Sequence, residues 1–189
     1  MKKLLRLLLG VLIVLAVGLT SAPSAEAATR PYCGIYWGSL SKTGAPLSHA
    51  WSDGAGIYNV RTGRHTCYDR LVIDVSGAIG TYHVGYVAHI YTQGQGSTVP
   101  TRGGAALQVN VMNSADNVNT GAPTYVFANG GELTNVKGYR TFRQVVWGGT
   151  YEGYSTVGIG VRARLPFRVF ILSGPGSSNR LVVDVAHQW

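Results

Sequence analysis

The chain has 189 residues, with 16 Lys and Arg against 8 Asp and Glu, which gives a formal net charge of +8 at neutral pH. The basic residues are spread along the sequence and form no block, so the charge does not indicate a nucleic-acid-binding arm, and no nucleic acid is expected as a partner.

The first 27 residues have the features of a secretory signal peptide. Three basic residues among the first six precede an apolar run, Leu7–Leu19, and the sequence Ala-Glu-Ala at 25–27 provides a small-residue cleavage site. The apolar run is shorter than the roughly 18–20 residues of a membrane-spanning helix, which makes a membrane anchor the less favoured alternative. We therefore expect cleavage after Ala27, no membrane span afterwards, and a secreted product that is free or associated with the cell wall.

The expected mature chain, residues 28–189, is long enough for one domain with one sizeable core. Without the three basic residues and the one acid of the signal, it retains 13 Lys and Arg against 7 Asp and Glu, a net charge of +6. Outside the cell, the acidic partners of such a surface are wall polymers or lipid headgroups.

Residues 28–56 are predicted to form an irregular N-terminal wrap, because they are rich in glycine and turn-forming residues, with Trp37 and Trp51 as apolar anchors. Both cysteines, Cys33 and Cys67, lie in the exported part. An even number of cysteines in an oxidising compartment predicts one disulfide, in preference to a reactive nucleophile. That disulfide would tie the wrap to the first strand of the domain.

From residue 57 onward, apolar residues alternate with a period of two, as in half-buried β-strands. The alternation is found in seven segments: Leu71–Val75, Tyr82–Tyr86, Leu107–Val111, Val145–Trp147, Val157–Val161, Phe167–Ile171 and Leu181–Val185. No window outside the signal has a convincing helical period, although a short helix at Glu132–Val136 stays open. About eight strands separated by Gly-, Asn- and Pro-rich turns predict an all-β domain over residues 57–189, an antiparallel β-sandwich or a partly closed barrel.

One motif occurs twice, as DRLVIDV at residues 69–75 and as NRLVVDV at residues 179–185. In an extended strand Arg70 and Asp74 point to the same side but lie about 13 Å apart, at ~3.3 Å per residue, so they cannot pair with each other. Each copy of the motif therefore needs partners for one cation and one anion on its outer face.

An antiparallel pairing of the two copies would provide those partners. Arg70 would lie opposite Asp184 and Asp74 opposite Arg180, and the two ion pairs would fix the register. The alternative is that the copies are equivalent strands in two related half-sheets. The residues to which we assign structural roles are Cys33, Cys67, Asp69, Arg70, Asp74, Arg180 and Asp184.

Several longer stretches follow one another in a characteristic order: TGRHTCYDRLVIDVSG, YHVGYV, GYRTFRQVVWGGTYEG and VGIGVRARLPFRVFILSGPGSSNRLVVDVAH. In order and spacing they resemble the AMIN-like domain of secreted actinobacterial proteins. The leader CGIYWGSLSK is similar to the segment that often precedes this domain. The distantly related AMIN domain is a β-sandwich that localises envelope proteins by binding peptidoglycan. The resemblance therefore implies a wall-associated binding module.

The residues expected to contact a ligand are cationic and aromatic, because arginine binds carboxylates and phosphates and tyrosine stacks on sugar rings. For His65 the alternative is a hydrogen bond to a backbone carbonyl that holds a hairpin. The predicted ligand-binding set is Arg64, His65, Tyr139, Arg140, Arg143, Arg162, Arg164 and Arg168.

Enzyme motifs are absent from the sequence, which contains no GxSxG, HExxH, CxxC, Walker or dinucleotide motif. His83 and His89 fall on one strand about 20 Å apart, too far to share a metal ion. We expect no enzyme, metal or cofactor, and a wall hydrolase is the least favoured function. The predicted function is a non-catalytic, envelope-binding module for peptidoglycan or an anionic wall polymer. The alternative is a structural or interaction protein that binds another secreted protein.

Overall fold

The computed structural model describes residues 31–44 and 56–189, so the predicted signal peptide and Trp51 lie outside the described residues. Within these ranges the chain forms eleven strands and no helix. The strands are β1 Lys42–Gly44, β2 Ile57–Arg64, β3 Tyr68–Val75, β4 Tyr82–Val87, β5 Ile90–Tyr91, β6 Thr98–Val99, β7 Ala105–Val111, β8 Phe142–Tyr151, β9 Tyr154–Val161, β10 Phe167–Ser173 and β11 Asn179–Ala186.

Two antiparallel sheets pack against each other around one core. The five-stranded sheet has the order β1-β4-β7-β9-β8, the four-stranded sheet has the order β10-β11-β3-β2, and β5 and β6 form a small hairpin. Leu71, Ile73 and Leu181 of the four-stranded sheet share the core with Val109 and Ile159 of the five-stranded sheet. The predicted all-β sandwich is thus confirmed, and its sheets do not close into a barrel.

The seven alternating segments all lie in strands, namely β3, β4 and β7 to β11. Residues 132–136 form a bend at 133–134 and otherwise have no regular structure, so the short helix considered there is not formed. The alternation missed β1, β5 and β6, which have only two or three residues and cannot display a period. It also missed β2, where a register shift between Ile57 and Asn59 interrupts the pairing with β3.

The predicted disulfide is confirmed, since Cys33 is bonded to Cys67 across a sequence separation of 34 residues. Restriction of the unfolded chain by a loop of this length stabilises the fold by about 3–4 kcal/mol in the chain-entropy model. The bond joins the wrap to the turn between β2 and β3.

The described part of the wrap touches both sheets. Most of it has no regular structure, as predicted, but Lys42–Gly44 adds an edge strand to the five-stranded sheet by pairing with β4. Gly38 forms a bridge with Phe167 at the start of β10, and the ring of Trp37 lies 5.9 Å from that of Tyr68 in β3. The N-terminal segment is therefore part of the sandwich.

The two copies of the repeated motif lie side by side as β3 and β11. Arg70 is opposite Asp184 and Asp74 is opposite Arg180, in antiparallel register. The Arg70 guanidinium donates to both carboxylate oxygens of Asp184, at 2.6 and 2.9 Å. The predicted register and the first predicted ion pair are confirmed.

The second predicted ion pair, between Asp74 and Arg180, is wrong. Asp74 accepts two hydrogen bonds from Arg61, at 2.8 and 3.1 Å, and one from Asn59 at 2.9 Å. Arg180 donates to the carbonyl of Ser173 instead. The physical reason is that β3 has a second neighbour, β2, whose arginine reaches the carboxylate with a two-point contact.

Gly160 in β9 packs against the backbone of the loop before β7. A Cβ atom there would lie 1.8 Å from the carbonyl oxygen of Arg102, so Gly160→Ala must displace that loop. We expect the free energy of unfolding to fall by about 1–3 kcal/mol in urea titrations. Gly63→Ala is the control, because among the described residues its Cβ would meet only His65 Nε2, at 3.5 Å. Equal losses in the two variants would contradict the packing explanation.

Candidate functional site

The structure does not bring the eight predicted ligand-binding residues together. They fall into four places: Arg64, Tyr139 and Arg143 at one cleft, Arg140 exposed beside it, His65 and Arg168 on the outer face of the four-stranded sheet, and Arg162 and Arg164 in the loop between β9 and β10. Of these four places, the cleft is the one where the largest number of cationic side chains face one space.

This cleft, called the basic cleft below, has a volume of about 430 Å³ and lies next to the start of β8. Its lining includes Arg102, Glu132, Lys137, Tyr139, Phe142 and Arg143. Three cations and one carboxylate face the same space, so the cleft carries a surplus of positive charge.

Arg143 shapes the wall of the basic cleft from within. Its Nη1 donates to the backbone carbonyls of Tyr139, Arg140 and Phe142, at 3.2, 3.4 and 2.9 Å. Such contacts hold the turn before β8 in one conformation and keep the guanidinium beside the cleft.

Contacts from β2 fix the same turn from outside. Tyr139 donates its hydroxyl hydrogen to Thr62 Oγ1 at 3.1 Å, and the Arg64 guanidinium approaches the Gly138 carbonyl at 3.5 Å. The Tyr139 ring is stacked parallel to that of Phe142, with centroids 6.1 Å apart. The predicted residues Arg64 and Tyr139 therefore position the rim of the cleft.

Arg102 and Lys137 differ in how far their charges are already satisfied. Arg102 forms an ion pair with Glu132 and donates a hydrogen bond to the Arg143 carbonyl at 3.2 Å. The hydrogen bond with the Glu132 carboxylate raises the pKa of Arg102, so its charge is permanent. The exposed Lys137 ammonium makes no hydrogen bond to any residue that the structure describes. Lys137 is the cation that can turn to a ligand without losing an internal contact.

The buried carboxylate of Asp69 anchors the cleft from below. Its Oδ2 accepts hydrogen bonds from the backbone N–H groups of Thr141 and Phe142, at 2.6 and 3.0 Å. Its Oδ1 lies 3.3 Å from His187 Nε2, and His187 Nδ1 lies 3.1 Å from the Thr66 carbonyl oxygen. Asp69 therefore links the first residues of β8 to the C-terminal end of the chain.

A second cluster lies on the outer face of the four-stranded sheet. Asp184, fully buried, accepts hydrogen bonds from both Arg70 and Arg168. The hydrogen bonds that Arg70 donates to the Asp184 carboxylate raise the pKa of Arg70. The rings whose centroids lie 5.0–5.4 Å from the Arg168 guanidinium are those of Trp37, Tyr68 and Phe170. Because ion pairing and cation–π contacts engage Arg168, its surroundings support a structural role.

His65 belongs to the edge of this second cluster. Its ring stacks on Tyr68 with centroids 4.6 Å apart, and its backbone N–H donates to the Tyr68 carbonyl at 3.0 Å. The side chain is exposed, and these contacts hold the turn between β2 and β3.

Arg162 and Arg164 are exposed in the loop that follows β9. Arg162 donates to the carbonyl of His187, and the Arg164 guanidinium lies 5.0 Å above the Tyr86 ring. Tyr86 donates to the Leu165 carbonyl at 2.6 Å, and burial raises the pKa of Tyr86 to about 12. These contacts brace the loop between β9 and β10.

Three charged lining residues, Arg102, Glu132 and Lys137, were absent from the predicted set. They lie in the polar loops GQGSTVPTRGG and FANGGELTNVKG, whose only signal was their composition. The sheet order brings these loops together: β7 and β8 are both antiparallel to β9, so they run parallel to each other and begin at the same end of the sheet. The sequence of either loop alone does not show that the two loops are neighbours.

Neither a metal site nor a membrane-spanning helix is found among residues 31–44 and 56–189. No group of three or more His, Cys, Asp or Glu side chains there is placed to hold a metal ion. The same residues include no helix long and apolar enough to cross a membrane.

Two antiparallel sheets around one core and a cystine bridge define a disulfide-bonded β-sandwich domain. The profile of the AMIN-like domain matches residues 55–187, from the start of β2 to the residue after β11, and the chain belongs to the AMIN-like domain family. No curated protein matches the chain. Family and disulfide are both consistent with an extracellular protein.

Proposed function

We propose that this protein is a secreted, non-catalytic module that binds the cell envelope by holding an anionic group of peptidoglycan or of a wall polymer in the basic cleft. The observation that carries the proposal is the convergence of Arg102, Lys137 and Arg143 on one space beside Tyr139. Membership of the AMIN-like family supports a binding module of the peptidoglycan-binding type. In this proposal residues 1–27 are the signal, residues 28–56 the wrap and residues 57–189 the binding domain.

The cleft suits an anion attached to a larger polymer. Its volume of about 430 Å³ can accept one sugar or peptide unit, since small-ligand sites measure about 300–1,000 Å³. Guanidinium groups bind carboxylates and phosphates through two parallel hydrogen bonds, and an ammonium adds a mobile point charge. Tyr139 provides an aromatic surface at the rim on which a sugar can pack.

The same geometry favours binding over catalysis. Glu132 is the only carboxylate among the side chains that line the cleft, and it is paired with Arg102. General acid–base hydrolysis of a glycan needs two carboxyl groups that flank the scissile bond. A single ion-paired carboxylate instead serves to orient Arg102.

The proposal is tested by co-sedimentation of the mature protein with intact sacculi and with sacculi stripped of their anionic polymers, over a series of salt concentrations. We expect binding to weaken as salt rises, because exposed charges are screened beyond about 8 Å at physiological ionic strength. Loss of binding on stripping assigns the ligand to the anionic polymer, and retention assigns it to peptidoglycan. Failure to sediment with either preparation would exclude the envelope ligand.

Lys137→Gln is expected to weaken binding to sacculi about tenfold, because it removes one charge-assisted hydrogen bond of about 1.4 kcal/mol without breaking an internal contact. The affinity is measured from sedimentation isotherms at low salt. Lys42→Gln removes the same charge elsewhere and is the control: Lys42 lies in β1, at the edge of the five-stranded sheet opposite to β8, where its ammonium donates to the Leu40 carbonyl and lies over the Phe167 ring. If both variants weaken binding equally, net charge and not the basic cleft is responsible.

The alternative function, binding of another secreted protein, also has an observation in its favour. Tyr36 and Leu40 of the wrap are large apolar residues and are more than three-quarters exposed. Exposed apolar patches are typical of protein contacts, and these two residues lie four positions apart in the wrap. Salt-tolerant capture of one protein by the mature domain, together with no sedimentation with sacculi, would favour this function.

A further inference from the structure

We propose that the outer face of the five-stranded sheet carries a second binding site, which takes an uncharged saccharide. A cleft of about 350 Å³, called the neutral cleft below, opens there. Its lining includes Thr81, Tyr82, His83, Gln93, Asn110 and Tyr154. The inference does not rest on the proposed function of the basic cleft, because it concerns other residues on another surface.

The strand register builds a polar row across this sheet face. Thr43 in β1 is opposite His83 in β4, His83 is opposite Asn110 in β7, and Asn110 is opposite Thr156 in β9. Four polar side chains on four neighbouring strands cover about 14 Å, at ~4.8 Å between strands. Residues on the opposite face of the same strands, such as Val109, are buried in the core. The row is therefore a continuous polar platform above an apolar layer.

Hydrogen bonds fix the two amide groups of the neutral cleft. Gln93 Nε2 donates to Thr156 Oγ1 at 2.9 Å, and the Thr156 hydroxyl donates to Asn110 Oδ1 at 2.7 Å. Gln108 Nε2 donates to the same Asn110 oxygen at 3.3 Å. This chain leaves Asn110 Nδ2 as a donor and Gln93 Oε1 as an acceptor, and neither atom has a hydrogen bond to the described residues. A donor and an acceptor are thus held ready on one surface.

The chemistry of the lining selects an uncharged, hydroxyl-rich ligand. Among the described residues no Lys, Arg, Asp or Glu lines the neutral cleft, so an ionic group would lose water without gaining a counter-charge from them. A sugar hydroxyl both donates and accepts, as an amide donor next to an amide acceptor requires. Tyr154, which is 40% exposed, offers a ring on which the apolar face of a sugar can stack. A neutral saccharide satisfies all three conditions.

The test uses the mature protein and two soluble probes, a β-1,4-linked tetramer of N-acetylglucosamine and cellotetraose, with affinity measured by NMR titration. We expect saturable binding of at least one probe. Asn110→Asp replaces the amide donor by a carboxylate oxygen of the same shape, and Tyr154→Ala removes the exposed ring. Each is expected to weaken binding about tenfold or more, since loss of a paired hydroxyl contact or of a stacking ring acts on the bound sugar directly.

Tyr58→Ala is the matched control, because Tyr58 is 44% exposed but lies in β2 of the other sheet. It should leave the affinity unchanged. Urea titration of each variant checks the fold, and Tyr154→Ala, an exposed substitution, decides the matter if Asn110→Asp is destabilised.

Binding of the acetylated tetramer alone would assign the ligand to N-acetylated glycans, and binding of both probes to neutral glycans in general. No saturable binding of either probe, or an equal loss in Tyr58→Ala and Tyr154→Ala, would overturn the inference. Because the probes are uncharged and no wall is present, these outcomes are independent of whether sacculi bind at the basic cleft.

Discussion

Asp184→Asn is expected to lower the free energy of unfolding by about 3–5 kcal/mol, the usual loss when one partner of a buried ion pair is removed. The Asp184 side chain is 0% exposed, and its carboxylate is shared by Arg70 and Arg168, whose side chains are 20% and 32% exposed. An amide cannot neutralise two guanidinium groups, which would then face each other across β11. Urea denaturation followed by intrinsic fluorescence measures the loss.

Asp74→Asn is the comparison from the other copy of the motif and should lose less than Asp184→Asn, although the Asp74 side chain is itself only 6% exposed. Its main partner, Arg61, is 50% exposed and can be solvated when the charge on residue 74 disappears. Equal losses in the two variants would show that the ion pairs of Asp184 with Arg70 and Arg168 contribute no more to stability than the ion pair of Asp74. The two variants can be compared directly, because Asp74 and Asp184 occupy the same position of the repeated motif.

Asp69→Asn is expected to lower the free energy of unfolding by about 3 kcal/mol and to loosen the turn that forms the basic cleft. Both oxygens of Asp69 accept or face donors: the N–H groups of Thr141 and Phe142 at Oδ2, and His187 Nε2 at Oδ1. An asparagine would turn its own NH₂ group toward one of these donors and leave a buried polar group unpaired. Urea titration measures the stability.

Hydrogen exchange at the Thr141 and Phe142 amides reports the local effect of the same variant, and sedimentation with sacculi reports its effect on binding. Asp116→Asn is the control, since the carboxylate of Asp116 has no hydrogen bond to the described residues. Unchanged exchange at residues 141 and 142 in Asp69→Asn would contradict the role of Asp69 as the anchor of the cleft.

Asp184 and Asp69 differ in how they connect the fold to the proposed binding site. The Asp184 cluster covers the outside of the four-stranded sheet with ion pairs and cation–π contacts. Asp69, in the same sheet, sends its side chain to the start of β8 in the other sheet. We therefore expect loss of Asp184 to lower stability alone, and loss of Asp69 to lower both stability and binding at the proposed site.

Much of the fold was predictable because its signals are local. Alternation along seven segments identified seven strands, since one face of each strand must be buried and the other solvated. Two cysteines after a predicted signal peptide predicted the bond between Cys33 and Cys67. The repeat even predicted the register of β3 and β11, because Arg70 and Asp184 are complementary at matching positions.

The partners of the site residues could not be predicted, because they lie on strands that become neighbours only in the folded sheet. Asp74 pairs with Arg61 because β2 lies beside β3, and this choice between two arginines is decided by side-chain reach across the sheet. Arg168 belonged to the predicted ligand-binding set, yet its guanidinium is engaged by Asp184 in the neighbouring strand.

The sequence by itself therefore determined seven of the eleven strands of the described residues, which cysteines pair and which family the chain resembles, because periodicity, residue count and motif order are properties of the linear chain. Only the tertiary structure decided that Arg102 and Lys137 share a cleft, and that His83 and Asn110 share a polar row. Those residues come from loops and strands far apart in sequence, and their proximity follows from strand order and register in a sheet, which long-range packing of the core selects.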